Sequence, residues 1–179
     1  METAHQDGIG EADGLERLWT PYRMAYIRGE SKPTDASAGE CPFCRISTSR
    51  EDERYLVVRR GETAYAVLNL YPYAAGHLMI CPYRHVADYT DTTEQEAAEI
   101  ATMTKAALTT LRAVSRAEGF NVGINQGAAG GAGIAAHLHQ HVVPRWVGDT
   151  NFLPVIGKTK TLPELLLETR RLLADAWVE

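Results

Sequence analysis

Three cysteines, Cys41, Cys44 and Cys81, are too few and too unevenly spaced for a disulfide framework in a chain of 179 residues, and they fit a reducing compartment better. No apolar run approaches the roughly 20 residues needed to cross a bilayer. The acidic stretch from Met1 to Asp13 lacks the basic and apolar regions of a secretory leader, so a cytoplasmic protein with no membrane partner is expected. Basic charge is also scarce: 18 Lys and Arg against 23 Asp and Glu leave a net charge of −5. That balance excludes a general nucleic-acid surface, and any phosphate ligand must be held by local groups. No Gly-Lys-Ser/Thr follows the glycine-rich stretch, which excludes a Walker loop. Internal repeats are absent.

What is present fits a single domain, with 45% hydrophobic residues to build its core. Residues 1–12 are polar and read as a disordered tail before one domain over 13–179. Leu15, Leu18, Trp19, Tyr22 and Tyr26 have near-helical spacing, interrupted at Pro21, and suggest a short helix or docking arm. Gly29 to Gly39 reads as a surface loop. Tyr55–Arg60 and Thr63–Leu70 form a strand-like pair turning at Arg60-Gly61-Glu62, and His77–Pro82 supplies the next strand. Thr93-Glu94-Gln95-Glu96 has the capping-box pattern. It opens a helix with Ile100, Met103, Ala107, Leu108, Leu111 and Val114 on one face, ending near Gly119. Phe120–Asn125 and His137–Trp146 complete five strands, and Thr161-Leu162-Pro163-Glu164 opens a last amphipathic helix through Leu165, Leu172 and Trp177. Helices segregated from a mostly antiparallel sheet make this an α+β fold. Cys81, inside an apolar strand, reads as a small core residue.

The chemistry concentrates at His137-Leu138-His139-Gln140-His141-Val142-Val143-Pro144-Arg145, which holds three of the six histidines. As a strand, the segment places the three imidazoles on one face and Leu138, Gln140 and Val142 on the other, with Pro144 ending the ladder. Neutral imidazole serves as nucleophile, proton carrier or metal ligand near pH 7. A solvated metal-scavenging tract is the plain alternative, but such tracts are low in complexity, and this one is flanked by Ile134, Ala135, Ala136 and two valines.

His137-Leu-His139-Gln-His141-Val-Val resembles the histidine-triad signature, His-φ-His-φ-His-φ-φ with φ apolar, from which Gln140 departs. The stretch from Ala66 through Asn69, Gly76-His77 and Pro82 is similar to the first half of the same family, so the likeness runs from Cys41 to Trp146. The flanks Leu18-Trp19-Thr20-Pro21-Tyr22-Arg23-Met24 and Pro144-Arg145-Trp146 resemble its actinobacterial diadenosine-polyphosphate-cleaving branch. This resemblance implies a five-stranded antiparallel sheet with a long covering helix and a C-terminal helix. It also implies a homodimer formed by joining sheets edge to edge, with a tetramer as the larger alternative. The implied enzyme cleaves dinucleoside polyphosphates such as diadenosine tetraphosphate. His139 attacks the α-phosphorus, a nucleotidyl-histidine forms, and phosphate or water accepts the nucleotide. His141 and His77 are the implied phosphate contacts. Taken alone, His77 after Gly76 reads equally as a satisfied histidine in a turn.

Asn69 matches the family's ribose contact, though a strand-end asparagine also satisfies a neighbouring turn. Asn125-Gln126-Gly127-Ala128-Ala129-Gly130-Gly131-Ala132-Gly133 reads as a phosphate cradle or as a flexible connection. By resemblance Asn125, Ala132 and Gly133 line the phosphate site, with Gly131 in the same loop. The hydroxyl residue that many relatives carry in this loop is missing. Trp146 is a candidate for packing over the nucleotide, or equally an interface tryptophan. Cys41-x-x-Cys44 has the spacing of a structural zinc knuckle, with His85 and His137 as candidate partners. In zinc-containing relatives the further ligands come from a Pro-x-x-His segment and the first triad histidine, which Pro82-Tyr83-Arg84-His85 and His137 match. A free or redox-active thiol pair is the alternative, although a thioredoxin-like βαβ context is missing. Two rival functions stay open: hydrolysis of nucleoside phosphoramidates, and a nucleotide-binding module without turnover.

Overall fold

The computed structural model describes residues 41–149 and 165–178. The expected tail, the docking arm, the Gly29–Gly39 loop and the Thr161–Glu164 helix opening lie outside the described residues. So does any test of the proposed domain boundary. All described residues belong to one compact unit, Lys32–Glu179.

The chain runs through α1 (Pro42–Thr48), β1 (Val57–Arg60), β2 (Ala64–Leu68), β3 (Leu78–Pro82), a single 3-10 turn (Tyr89–Asp91), α2 (Glu94–Ser115), β4 (Gly119–Ile124), β5 (Gln140–Arg145) and α3 (Leu166–Asp175). The five strands form one sheet in the order β1-β2-β3-β5-β4, and every neighbouring pair is antiparallel. β2 and β3, Ala-Tyr-Ala-Val-Leu and Leu-Met-Ile-Cys-Pro, are buried at every position. Their unbroken apolar runs follow from this, since a strand covered on both faces has no use for polar alternation. Cys81 is a fully buried core residue in β3.

α2 begins with the expected capping box: Glu96 N–H donates to Thr93 Oγ1 at 3.2 Å, and Thr93 N–H donates to Glu96 Oε2 at 2.8 Å. Ile100, Met103, Ala107 and Leu111 are buried on its inner face, with Leu108 and Val114 packed against the core. The helix stops at Ser115 rather than near Gly119, because Arg116 takes the left-handed cap conformation (φ 53°) and Gly119 already pairs with Arg145 in the sheet. Glu99 of α2 caps the β1–β2 turn, accepting from Glu62 N–H (2.7 Å) and Ala64 N–H (3.0 Å), and from the Thr63 N–H and hydroxyl. A side chain at Gly61 would collide with that carboxylate, which accounts for the glycine.

Two expectations are corrected. β5 begins at Gln140, so His137 and His139 lie in the irregular segment leading into it, although their alternation carries over. Pro144 also does not end the ladder, since it pairs with Phe120. The β3 register stops at Leu78↔Val142, so the proline sits where β5 has a neighbour on one side only and its missing N–H is tolerated.

Candidate active site

The β3–β5 register pairs Met79 with His141, which brings His77, at the entrance to β3, beside the incoming histidine segment. His77 Nε2 lies 2.9 Å from His141 Nδ1. The hydrogen-bond partners assign the tautomers. Tyr73 N–H can only donate, and it meets His77 Nδ1 at 3.1 Å. His77 therefore carries its proton on Nε2 and donates to His141 Nδ1, which leaves His141 with its N–H on Nε2. Burial, with His139 nearby adding to it, lowers the His141 pKa to about 4, so this imidazole is neutral at pH 7.

His139 is held differently. Its Nδ1 lies 2.8 Å from the His137 carbonyl oxygen, which can only accept, so Nδ1 carries a proton and the lone pair of the neutral ring falls on Nε2. The His139 and His141 rings meet edge to face, with centroids 5.0 Å apart. In its neutral form His139 thus presents a nucleophilic nitrogen beside a His141 ring that presents an N–H. Tyr73 stacks on the donor pair, its ring 4.7 Å from His77 and 5.9 Å from His141.

Gln140, the departure from the apolar pattern, points the other way and donates from Nε2 to Thr104 Oγ1 on α2 at 2.6 Å. Asn69 is brought to the same turn: its Oδ1 accepts from Tyr71 N–H at 2.9 Å, and its Nδ2 lies 3.4 Å from His77 Nδ1. Continuing the Ile124↔Gln140 register by one step sets Asn125 level with His139.

The glycine loop is a closed turn more than an open cradle. Gly131 N–H donates to Ala128 O (3.1 Å) and Ala132 N–H to Gly127 O (3.2 Å). A Cβ at Gly130 would lie 2.3 Å from Gln126 O, so the chain crosses itself where only glycine fits. Gln126 clasps the loop to the 3-10 turn, accepting from Tyr89 N–H and donating to Asp88 Oδ2, each at 2.9 Å. Trp146 is not brought to the histidines. It lies five residues beyond His141, about 16 Å along an extended strand, and its indole N–H donates to Ser115 O at 3.1 Å.

The four expected metal donors do converge. Cys41, Cys44, His85 and His137 hold their ligand atoms within 4.8 Å of one another. His137 Nδ1 lies 3.5 Å from each sulfur, and His85 Nδ1 lies 3.1 Å from Cys44 Sγ. His137 Nε2–H donates to Pro82 O at 3.0 Å, which leaves Nδ1 unprotonated toward the thiols, as a ligating imidazole requires. Burial and the adjacent Cys41 push the Cys44 thiol up to about 11. Without a cation that thiol resists ionisation, and a bound divalent metal reverses that balance. Two sulfurs and two imidazole nitrogens are the soft four-donor set that zinc takes up in tetrahedral sites.

Sequence reasoning did not single out Phe43, whose ring packs on both His137 and His139, nor the two backbone carbonyls that fix the histidine tautomers. The position of Phe43 between the two cysteines was its one available signal.

An antiparallel five-stranded sheet with a histidine cluster and a Cys-x-x-Cys turn at its central strands defines an α+β class of protein with a histidine-lined site. The chain belongs to the HIT domain family, which it matches over residues 50–147. It is 49% identical over 178 residues to the AP-4-A phosphorylase of Mycobacterium tuberculosis, covering 98% of this chain and 91% of that protein. Among solved structures it resembles a zinc-bound histidine triad family protein from Mycobacterium smegmatis, with a TM-score of 0.64 and 30% identity over 78% of this chain and 94% of the other. It also resembles a hypothetical histidine triad nucleotide-binding protein from Sulfolobus tokodaii, with a TM-score of 0.61 and 26% identity over 76% and 91% of the two chains.

Proposed function

We propose that the protein cleaves dinucleoside polyphosphates, with diadenosine tetraphosphate as substrate, through a nucleotidyl-His139 intermediate that phosphate or water then resolves. The observation that carries this reading is the Nδ1–H bond from His139 to the His137 carbonyl, which in the neutral ring places the attacking lone pair on Nε2. The near full-length likeness to an AP-4-A phosphorylase supports the substrate.

In the first step Nε2 attacks the α-phosphorus. An N–P bond forms, the P–O bond to the polyphosphate breaks, and ATP leaves. His141, donating from Nε2–H, stabilises charge on the α-phosphate oxygens, and His77 holds it in that tautomer. In the second step an oxygen of phosphate or water attacks the same phosphorus and frees Nε2, giving ADP or AMP. Asn69 is assigned to the ribose through the remaining lone pair of Oδ1. Asn125 and Gly133 are assigned to the phosphate, with Gly131 and Ala132 shaping the loop around it. Trp146, remote from the histidines of its own chain, is assigned to the nucleotide through a partner protomer.

Cys41, Cys44, His85 and His137 are assigned to one structural zinc, which when bound holds the segment around His137 in place. The homodimer is assigned to the β4 edge, where Asn121, Val122 and Gly123 are exposed, whereas Arg170 of α3 donates to Val57 O beside β1 at the other edge. The unpaired thiols fit a cytoplasmic location.

Incubation with diadenosine tetraphosphate, with and without phosphate, tests the reading. ATP plus ADP means phosphorolysis and ATP plus AMP means hydrolysis. A wild-type protein inert under both conditions contradicts it.

A further inference from the structure

Phe43 sits between the two cysteines in the first turn of α1 and is 4% exposed. Its backbone is pinned from below, since the Tyr65 hydroxyl on fully buried β2 donates to the Phe43 carbonyl at 2.9 Å. Its ring meets two imidazoles at once, His137 at 5.3 Å and His139 at 4.9 Å between centroids, the latter at an interplanar angle of 36°. Tilted rings at these separations attract.

The hydrogen bond from His139 Nδ1–H fixes one point of its ring. A half-turn about the Cβ–Cγ bond would break it, exchanging Nδ1 for Cδ2 and carrying Nε2 out of its position for attack. A flat ring packed on the imidazole face obstructs that turn. The same ring touches His137, whose Nδ1 belongs to the four-donor cluster and whose carbonyl accepts from His139. The cluster and the nucleophile are therefore joined twice, by the His137 carbonyl and by the Phe43 ring.

We propose that Phe43 is a positioning residue through which the metal-holding Cys41–Cys44 turn keeps the His139 ring in its reactive orientation and tautomer. A bound metal then supports catalysis without touching substrate, by fixing the turn that carries Phe43. The proposal rests on His139 being the nucleophile. A residue serving only as core filler would be replaceable by any apolar side chain of similar volume.

The test uses the full chain as wild type, Phe43→Leu and Phe43→Tyr. Metal content is checked by elemental analysis, folding by circular dichroism, the first step by the rate of nucleotidyl-enzyme formation, and the His139 ring by its nitrogen NMR shifts. Zinc-loaded Phe43→Leu is expected to form the adduct on the order of 10- to 100-fold more slowly, with KM within about twofold and the two nitrogen shifts moved toward each other as tautomers mix. Phe43→Tyr, which keeps the ring, is expected to restore both. A zinc-loaded Phe43→Leu with wild-type rate and wild-type nitrogen shifts overturns the proposal. Should that variant lose its metal, folded wild type stripped by a chelator decides: mixed tautomers that revert on reloading zinc support the coupling, and unchanged shifts refute it. A zinc-loaded wild type that forms no adduct would refute the functional reading instead, and the nitrogen shifts would still decide the role of Phe43.

Discussion

His77 shows how one side chain sets the state of another. Tyr73 N–H donates to its Nδ1, and its Nε2–H donates to His141 Nδ1. Replacing His77 with Phe keeps a ring of similar bulk but lets His141 adopt either tautomer. The expected loss in kcat is about 10²- to 10⁴-fold, between the cost of a lost donor and that of a wrong tautomer. KM should change little. Steady-state kinetics check this, and an unchanged kcat would remove His77 from the mechanism. At this scale the residue types were legible, because imidazoles at alternate positions have few structural uses. Their separate tasks came through the family resemblance and not from the residue types, since the deciding partners are the carbonyls of His137 and Pro82 and the N–H of Tyr73, backbone groups that carry no signature of their own. Asn69 illustrates the same limit: its side chain closes a turn and lies beside His77, and the residue type alone does not separate a turn role from a ligand role.

Among the elements, β5 and α2 are tied by the hydrogen bond from Gln140 to Thr104, and Thr104 in turn donates to Ile100 O at 2.6 Å. The glutamine that breaks the apolar pattern is thus answered by a hydroxyl on the covering helix. Leaving a partner unsatisfied costs more than replacing both by apolar groups. Thr104→Val is expected to cost about 1–2 kcal/mol, and the double substitution Gln140→Leu with Thr104→Val roughly 1 kcal/mol or less. Denaturant unfolding of both variants checks this, and a non-additive cycle of the opposite sign would contradict it. α2 was readable almost to the residue, since its capping box and apolar spacing are local signals. Its end was missed because a left-handed arginine, not a glycine, caps it. The start of β5 was misplaced because alternation of side chains persists in extended chain beyond the last ladder bond.

For the molecule as a whole, acid should destabilise the fold in two stages. His141 has its pKa at about 4 against an ordinary 6.5, so between those values the unfolded chain binds more protons and stability falls as pH drops. Glu96, held near 2 by hydrogen bonds from Arg84 and the α2 cap, contributes fully above 4.5, and its share is lost as pH falls toward 2. Unfolding free energies measured across pH should show both slopes, with His141→Gln flattening the upper and Glu96→Gln the lower. Protein purified without added metal is expected to carry about one zinc per chain, as a four-ligand Cys2His2 site requires. Elemental analysis checks it, and reproducible absence of zinc would refute that assignment. The sheet and its covering helix were legible because they follow from patterning. The convergence of Cys41-Cys44 with His85 and His137 is a long-range contact that spacing alone only suggested.

The central claim is that His139 becomes covalently nucleotidylated. Intact-protein mass spectrometry after rapid quenching with diadenosine tetraphosphate tests it most directly. The expected result is one adenylyl group on wild-type protein, mapped to His139, with ATP released alongside it and neither formed by His139→Ala. Substrate consumed with no adduct at any quench time, or an adduct that survives His139→Ala, would contradict it.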